Sequence, residues 1–81
     1  MLTYEEAKAV LFDWNGEPAR ILQAWETETE FIFQFCGVQD DPDWFRDWES
    51  VDKKTGYPEI FDLEPGFRPE QIERGVARRI I

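Results

Sequence analysis

Residues 30–36, EFIFQFC, constrain this chain more than any other stretch. Large apolar side chains alternate there without interruption, so Phe31, Phe33 and Phe35 project to one side and Ile32, Gln34 and Cys36 to the other. A period of two is that of a strand, and apolar residues on both sides place it near the middle of a sheet. The rest of the chain must cover three phenylalanines on one face and deal with Ile32 and Cys36 on the reverse. With 81 residues this is one domain, spanning 1–81, whose large side chains include seven Phe, four Trp and two Tyr. A chain this short buries roughly 60–65% of its unfolded surface, so aromatic side chains must supply much of the core.

Upstream of the strand, Thr3 followed by Glu6 forms a capping-box pattern, with Glu5 and Glu6 where the helix dipole favours negative charge. Ala7, Val10, Leu11 and Trp14 recur at helical spacing and predict a helix over about 4–14 with one apolar stripe. Asn15 and Gly16 end it and Pro18 prevents its continuation. The period then changes. Ala19–Thr27 carries Ile21, Leu22, Ala24 and Trp25 without a breaker, and the bend at Thr27–Thr29 leads into the organising strand as an antiparallel hairpin. Its register is open: a two-residue loop sets Leu22 and Ala24 beside the phenylalanines, a three-residue loop sets Ile21 and Trp25 there.

After Gly37, residues 38–47 read as a loop of turn formers around Pro42 that leads into another strand. A second hairpin is expected over about 48–63. Its tip, Asp52–Gly56, reads as a type I turn closed by a left-handed glycine, with Lys53 and Lys54 as solvated turn residues. Pro58 lacks a ladder donor and puts the last strand at an edge or a bulge. Glu64, Pro65 and Gly66 break the chain, and Pro69 opens a short helix through Arg79 with Ile72, Val76 and Ile80 four apart. Gly75 in its middle costs about 1 kcal/mol of helix propensity. The expected fold is α+β: an N-terminal helix packed on a four-stranded antiparallel sheet of two hairpins, with a short C-terminal helix. The phenylalanines form the floor for the first helix, and the purpose of the Ile32 and Cys36 face stays open.

Charge narrows the function classes. Eighteen Asp and Glu against nine Lys and Arg give a net charge of −9, concentrated ahead of residue 66. That balance argues against direct binding of nucleic acid and against an anionic membrane surface, and it suits a basic protein partner. No histidine and a single cysteine remove the usual general base, an internal disulfide and any multi-cysteine zinc cluster. No metal or cofactor is expected. No apolar run reaches the length of a signal or a membrane span, so the expected location is cytoplasmic.

Candidate functional residues concentrate in the loop. Asp40, Asp41, Asp43 and Asp47 surround Trp44, Phe45 and Trp48. The aspartates lack the EF-hand spacing, with its glycine at position six and glutamate at position twelve. Aromatic anchors inside a charged rim are instead the mixture of a protein interface, and the charge would hasten encounter with a basic partner. The alternative role of the three aromatics is to complete a small core. Paired carboxylates such as Glu26 with Glu30, or Asp41 with Asp43, are the only candidates for catalysis, and without histidine, a phosphate-binding loop or an activated nucleophile they do not indicate an enzyme.

The order of elements, and particularly WESVDKKTGYPEIFDLEPGFRPEQIERG, resembles the YrhB-like family of small bacterial proteins, which includes immunity proteins of polymorphic toxin systems grouped as immunity protein 35. The matching features are the acidic helix start TYEEAKAV, the strand ETEFIFQF, the turn from Val51 to Gly56 and a short helix near Pro69–Gly75. Asp47–Ser50 stand where that family usually has a glycine and a proline, and Pro58 interrupts the following strand. The resemblance implies a cytosolic antitoxin-like protein that binds and blocks one cognate toxin. The other readings are an acidic nucleic-acid mimic that inhibits a host nuclease, a non-enzymatic protein-binding module, and a homodimer formed through an uncovered face of the sheet.

Overall fold

A computed structural model of the chain describes residues 1–16, 18–44, 46–61 and 66–81. It consists of α1 (Tyr4–Asn15), β1 (Ala19–Glu26), β2 (Glu30–Gly37), β3 (Asp47–Asp52), β4 (Pro58–Ile60), α2 (Glu70–Glu73) and β5 (Arg78–Arg79). The strands form one antiparallel sheet in the order β4-β3-β2-β1-β5. The architecture is the expected α+β one, with β2 at the centre and a fifth short strand added at the β1 edge.

α1 begins where the capping box puts it. The Glu6 amide donates to Thr3 Oγ1 at 3.2 Å and the Thr3 amide donates to Glu6 Oε1 at 2.9 Å. The helix ends at Gly16, whose φ of 80° is the left-handed conformation that glycine adopts without a Cβ clash. Ala7 and Leu11 are fully buried against Phe31, Phe33, Phe35, Ala24 and Val51. Tyr4 extends this row, with its ring 5.8 Å from Phe33 and 6.1 Å from Phe31. Trp14, expected on the stripe, is 54% exposed. The row that meets the sheet runs Tyr4, Ala7, Leu11, Asn15, and Trp14 sits about 100° round the helix from Asn15.

Neither simple register holds along the whole first hairpin. Thr27 and Glu30 close a two-residue connection, and Ala24 pairs with Phe33 as that loop requires. A bulge between Ile21 and Gln23 then shifts the pairing by one, so that Ile21 instead of Leu22 stands opposite Phe35. The extra residue lets both Ile21 and Ala24 serve the face under α1, which strict alternation could not do.

Around Ile32 the reverse face is covered by the C-terminal segment. Ile32, Trp48 and Ile72 are buried together, with Trp25, Phe61, Phe67 and Ala77 packed around them. The C-terminal helix is shorter than predicted. Gly75 takes a φ of 73°, the chain leaves the helix, and Arg78–Arg79 become β5, with Glu26 opposite Arg78 and Trp25 opposite Arg79. Ile72 alone of the expected apolar row is buried, while Val76 and Ile80 are exposed. Because Ile32 is fully covered within the chain, the face invoked for a homodimer is not left bare. β4 lies at the other sheet edge, as Pro58 requires. Leu63, Glu64 and Pro65, at the expected end of the second hairpin and the break after it, lie outside the described residues.

Candidate functional site

The loop after β2 is held by its own polar groups. The Gly37 amide donates to Asp40 Oδ2 at 3.1 Å, and the Asp40 amide returns to the Gly37 carbonyl at 3.0 Å. Asp40 packs so closely that a Cβ on Gly37 would lie 2.5 Å from Oδ2, which requires glycine there or a displaced carboxylate. A second turn follows around Pro42, closed by the Trp44 amide on the Asp41 carbonyl at 3.0 Å, while Asp41 Oδ1 accepts from the Asp43 amide at 2.9 Å. Pro sets φ for this turn, and the aspartate side chain caps it from within.

This scaffold presents Trp44 to solvent at 80% exposure, with Asp40, Asp41, Asp43 and Asp47 all exposed. Val38, 58% exposed, adds apolar surface to the same loop. Trp48 does not join them. It alternates to the reverse face of β3, is 5% exposed, and donates its indole N–H to the Phe67 carbonyl at 3.2 Å. It is a core residue, because the period of two turns Trp48 away from the side to which Asp47 points. Phe45 lies outside the described residues.

Negative charge continues from the loop onto the sheet. Burial, and then the Asp40 carboxylate, push the Asp47 carboxyl above its ordinary range. Glu49, 2% exposed beneath the C-terminal end of α1, is pushed up chiefly by burial and also by Asp47, against the lowering effect of Asn15. Asn15 Nδ2 reaches Glu49 Oε2 at 3.3 Å. The last turn of α1 contains no basic residue, and its own dipole is negative at that end. This end of the molecule thus carries an excess of carboxylates around an exposed indole, with Arg46 the one cation of the loop.

The opposite end of β2 holds an ion-pair centre that the sequence reading missed. Lys53, read as a solvated turn residue, is 9% exposed, donates to Glu26 Oε2 at 2.7 Å and stands 4.9 Å over the Phe31 ring. Arg78 donates to Glu26 Oε1 from β5, and the two donors, Lys53 first, hold the Glu26 carboxyl below its ordinary value. These groups line a concavity of about 490 Å³ with Met1, Leu2 and Tyr4, but their charges are engaged with one another. A turn lysine three residues ahead of a glycine gives no local sign of this role. The partner glutamate lies 27 residues away and becomes visible only once the register is known.

Comparison with known protein families, curated proteins and solved structures returned no match. Among the described residues, no helix is long and apolar enough to cross a membrane, and no cluster of acidic or cysteine side chains is arranged to hold a metal ion.

Proposed function

We propose that this chain is a cytoplasmic immunity-type inhibitor that neutralises a bacterial toxin by covering the toxin's active site or substrate groove with residues 38–47. The observation that supports the reading is Trp44 standing 80% exposed within a rim of exposed aspartates on a loop tied down by its own hydrogen bonds. An indole presented this way contributes about 4 kcal/mol on burial at 25 cal/mol per Å². A loop already ordered loses little entropy on binding. Asp40, Asp41, Asp43 and Asp47 form the rim that steers a basic toxin surface and disfavours acidic competitors. The resemblance to immunity protein 35 gives the same role to a chain with this order of elements. With Trp48 in the core, the interface is assigned to Trp44, Val38 and the four aspartates, and Phe45 lies outside the described residues.

The test is co-expression with the toxin domain encoded beside the gene. Wild-type protein restores growth. Trp44→Ala, and the triple variant Asp40→Asn, Asp41→Asn, Asp43→Asn, fail to restore it although their unfolding midpoints match wild type. Asparagine keeps the acceptor oxygens that hold the loop and removes only the charge. Full protection by both variants would overturn the proposal.

A further inference from the structure

The C-terminal segment covers the reverse face of the sheet only in part. Beside α2, where Gln71 Nε2 donates to Glu30 Oε1 at 2.8 Å, a groove of about 400 Å³ remains open, lined by Glu30, Ser50, Asp52, Thr55, Tyr57 and Glu59. It lies at the far end of β2 from the acidic loop, about 24 Å away along a strand rising 3.4 Å per residue.

Three of its lining residues are carboxylates on three adjacent strands. Glu30 stands directly opposite Asp52, and Glu59 opposite Ser50. Like charges directly opposite in a sheet repel. Among the described residues none of the three has an ion-pair partner, and Lys53 turns to Glu26 on the other face. The Thr55 and Lys54 amides that donate to Asp52 Oδ1 keep its carboxyl below the ordinary value, so it stays charged, with the Lys54 ammonium a minor contributor.

A second feature is independent of the acids. Ser50 is 3% exposed, and its hydroxyl makes no hydrogen bond among the described residues. Ser50 itself lines the groove between Glu30, Asp52 and Glu59. Carboxylates offer only acceptors, and a hydroxyl set among them can accept from a donor that enters the groove.

The spacing selects the donor. Among the described residues no group of acidic side chains is arranged to hold a metal ion, and the carboxylates on β2 and β4 start from backbones about 10 Å apart. A flat cation with five N–H donors spans such a site, and the exposed Tyr57 ring offers it a π face. We propose that this groove binds a guanidinium group, presented as an arginine side chain of a protein partner, with Glu59, Asp52 and Glu30 as charge partners and the Ser50 hydroxyl as acceptor.

Backbone amide shifts of the full chain, titrated with Nα-acetyl-arginine amide, test the assignment. Saturable changes are expected at Ser50, Asp52, Thr55 and Tyr57, with none from the citrulline analogue, which replaces the charged group by a neutral urea. The exposed substitutions Glu59→Gln and Tyr57→Ala should each weaken affinity at least threefold, while Trp44→Ala leaves it unchanged. The proposal is overturned by a response that citrulline reproduces, by equal affinity for Nα-acetyl-lysine amide, by wild-type affinity in both groove variants, or by saturation with calcium chloride and none with arginine.

Discussion

Lys53→Met separates a solvated turn residue from a structural cation. An exposed turn lysine can be replaced at a cost within about 0.5 kcal/mol. In the structure Lys53 has a side chain 11% exposed, a 2.7 Å bond to Glu26 and the Phe31 ring beneath its ammonium. Removing one partner of a fully buried pair costs about 3–5 kcal/mol. Glu26 is 24% exposed and keeps Arg78, and methionine retains the aliphatic packing, so the loss reduces to about 2 kcal/mol. For a domain of this size that lowers Tm by about 8–16 °C. Urea unfolding of Lys53→Met, Glu26→Gln and the double variant should give a coupling energy of about 1 kcal/mol. Acid titration adds a second readout. The Glu26 carboxyl is held below its ordinary 4.5, so its contribution is fully present above that pH and is lost as pH falls through the lowered value. Lys53→Met should weaken this acid-side loss. Stability within 0.5 kcal/mol of wild type and no coupling to Glu26 would refute the reasoning.

Glu49→Gln should raise stability at neutral pH by about 1 kcal/mol, because the amide still accepts from Asn15 without burying a charge. Burial raises the Glu49 carboxyl, so the wild type is free of the penalty below 4.5 and acquires it as pH rises through the higher folded value. The variant's advantage should therefore vanish in acid, as urea midpoints across pH would show. Gly56→Ala should cost about 1–2 kcal/mol through its φ of 73° alone, since the added Cβ meets Leu2 at an ordinary 3.5 Å, and thermal unfolding measures it. Trp48→Ala should cost about 3–5 kcal/mol in the same assay while Trp44→Ala stays within 0.5, which distinguishes the core indole from the surface one.

Local signals carried most of the fold. The capping box, the Gly16 terminus, the alternating strand and the left-handed Gly56 each depend on residues within a few positions, and each appears where the pattern put it. The failures came where a distant partner decides. The bulge at Leu22 reconciles Ile21 and Ala24 with one core, and no periodicity announces it. The C-terminal helix stopped at Gly75, where its propensity cost combined with an open β1 edge able to pair Arg78 and Arg79. In the candidate site the aspartate-rich turn was legible from Pro42 and its neighbours. The separation of Trp44 from Trp48 depended on where β3 begins, and residue spacing in a loop does not fix that.

The acidity that first suggested a basic partner divides by location into several jobs. Glu6 caps α1 and Glu26 neutralises two cations, so these carboxylates are already engaged by the fold, while Asp52 closes the β3–β4 turn through Oδ1 and has no ion-pair partner among the described residues. Asp40 and Asp41 each give oxygens to loop amides, but both stay exposed, and Asp43 is exposed beside them. A charge that both orders its loop and faces solvent serves recognition at little cost in folding free energy, because its desolvation is deferred until a partner arrives. Glu49 is the opposite case: buried, raised in pKa and hydrogen-bonded through its side chain only to Asn15 among the described residues, it destabilises the fold at neutral pH while adding to the field under the loop. A neutral side chain there would make the fold more stable, and on the proposed reading the carboxylate lends its field to the Trp44 surface. On the proposed inhibitor reading, Glu49→Gln should slow association with a basic toxin even as it stabilises the chain, a combination that a purely structural role for Glu49 would not produce.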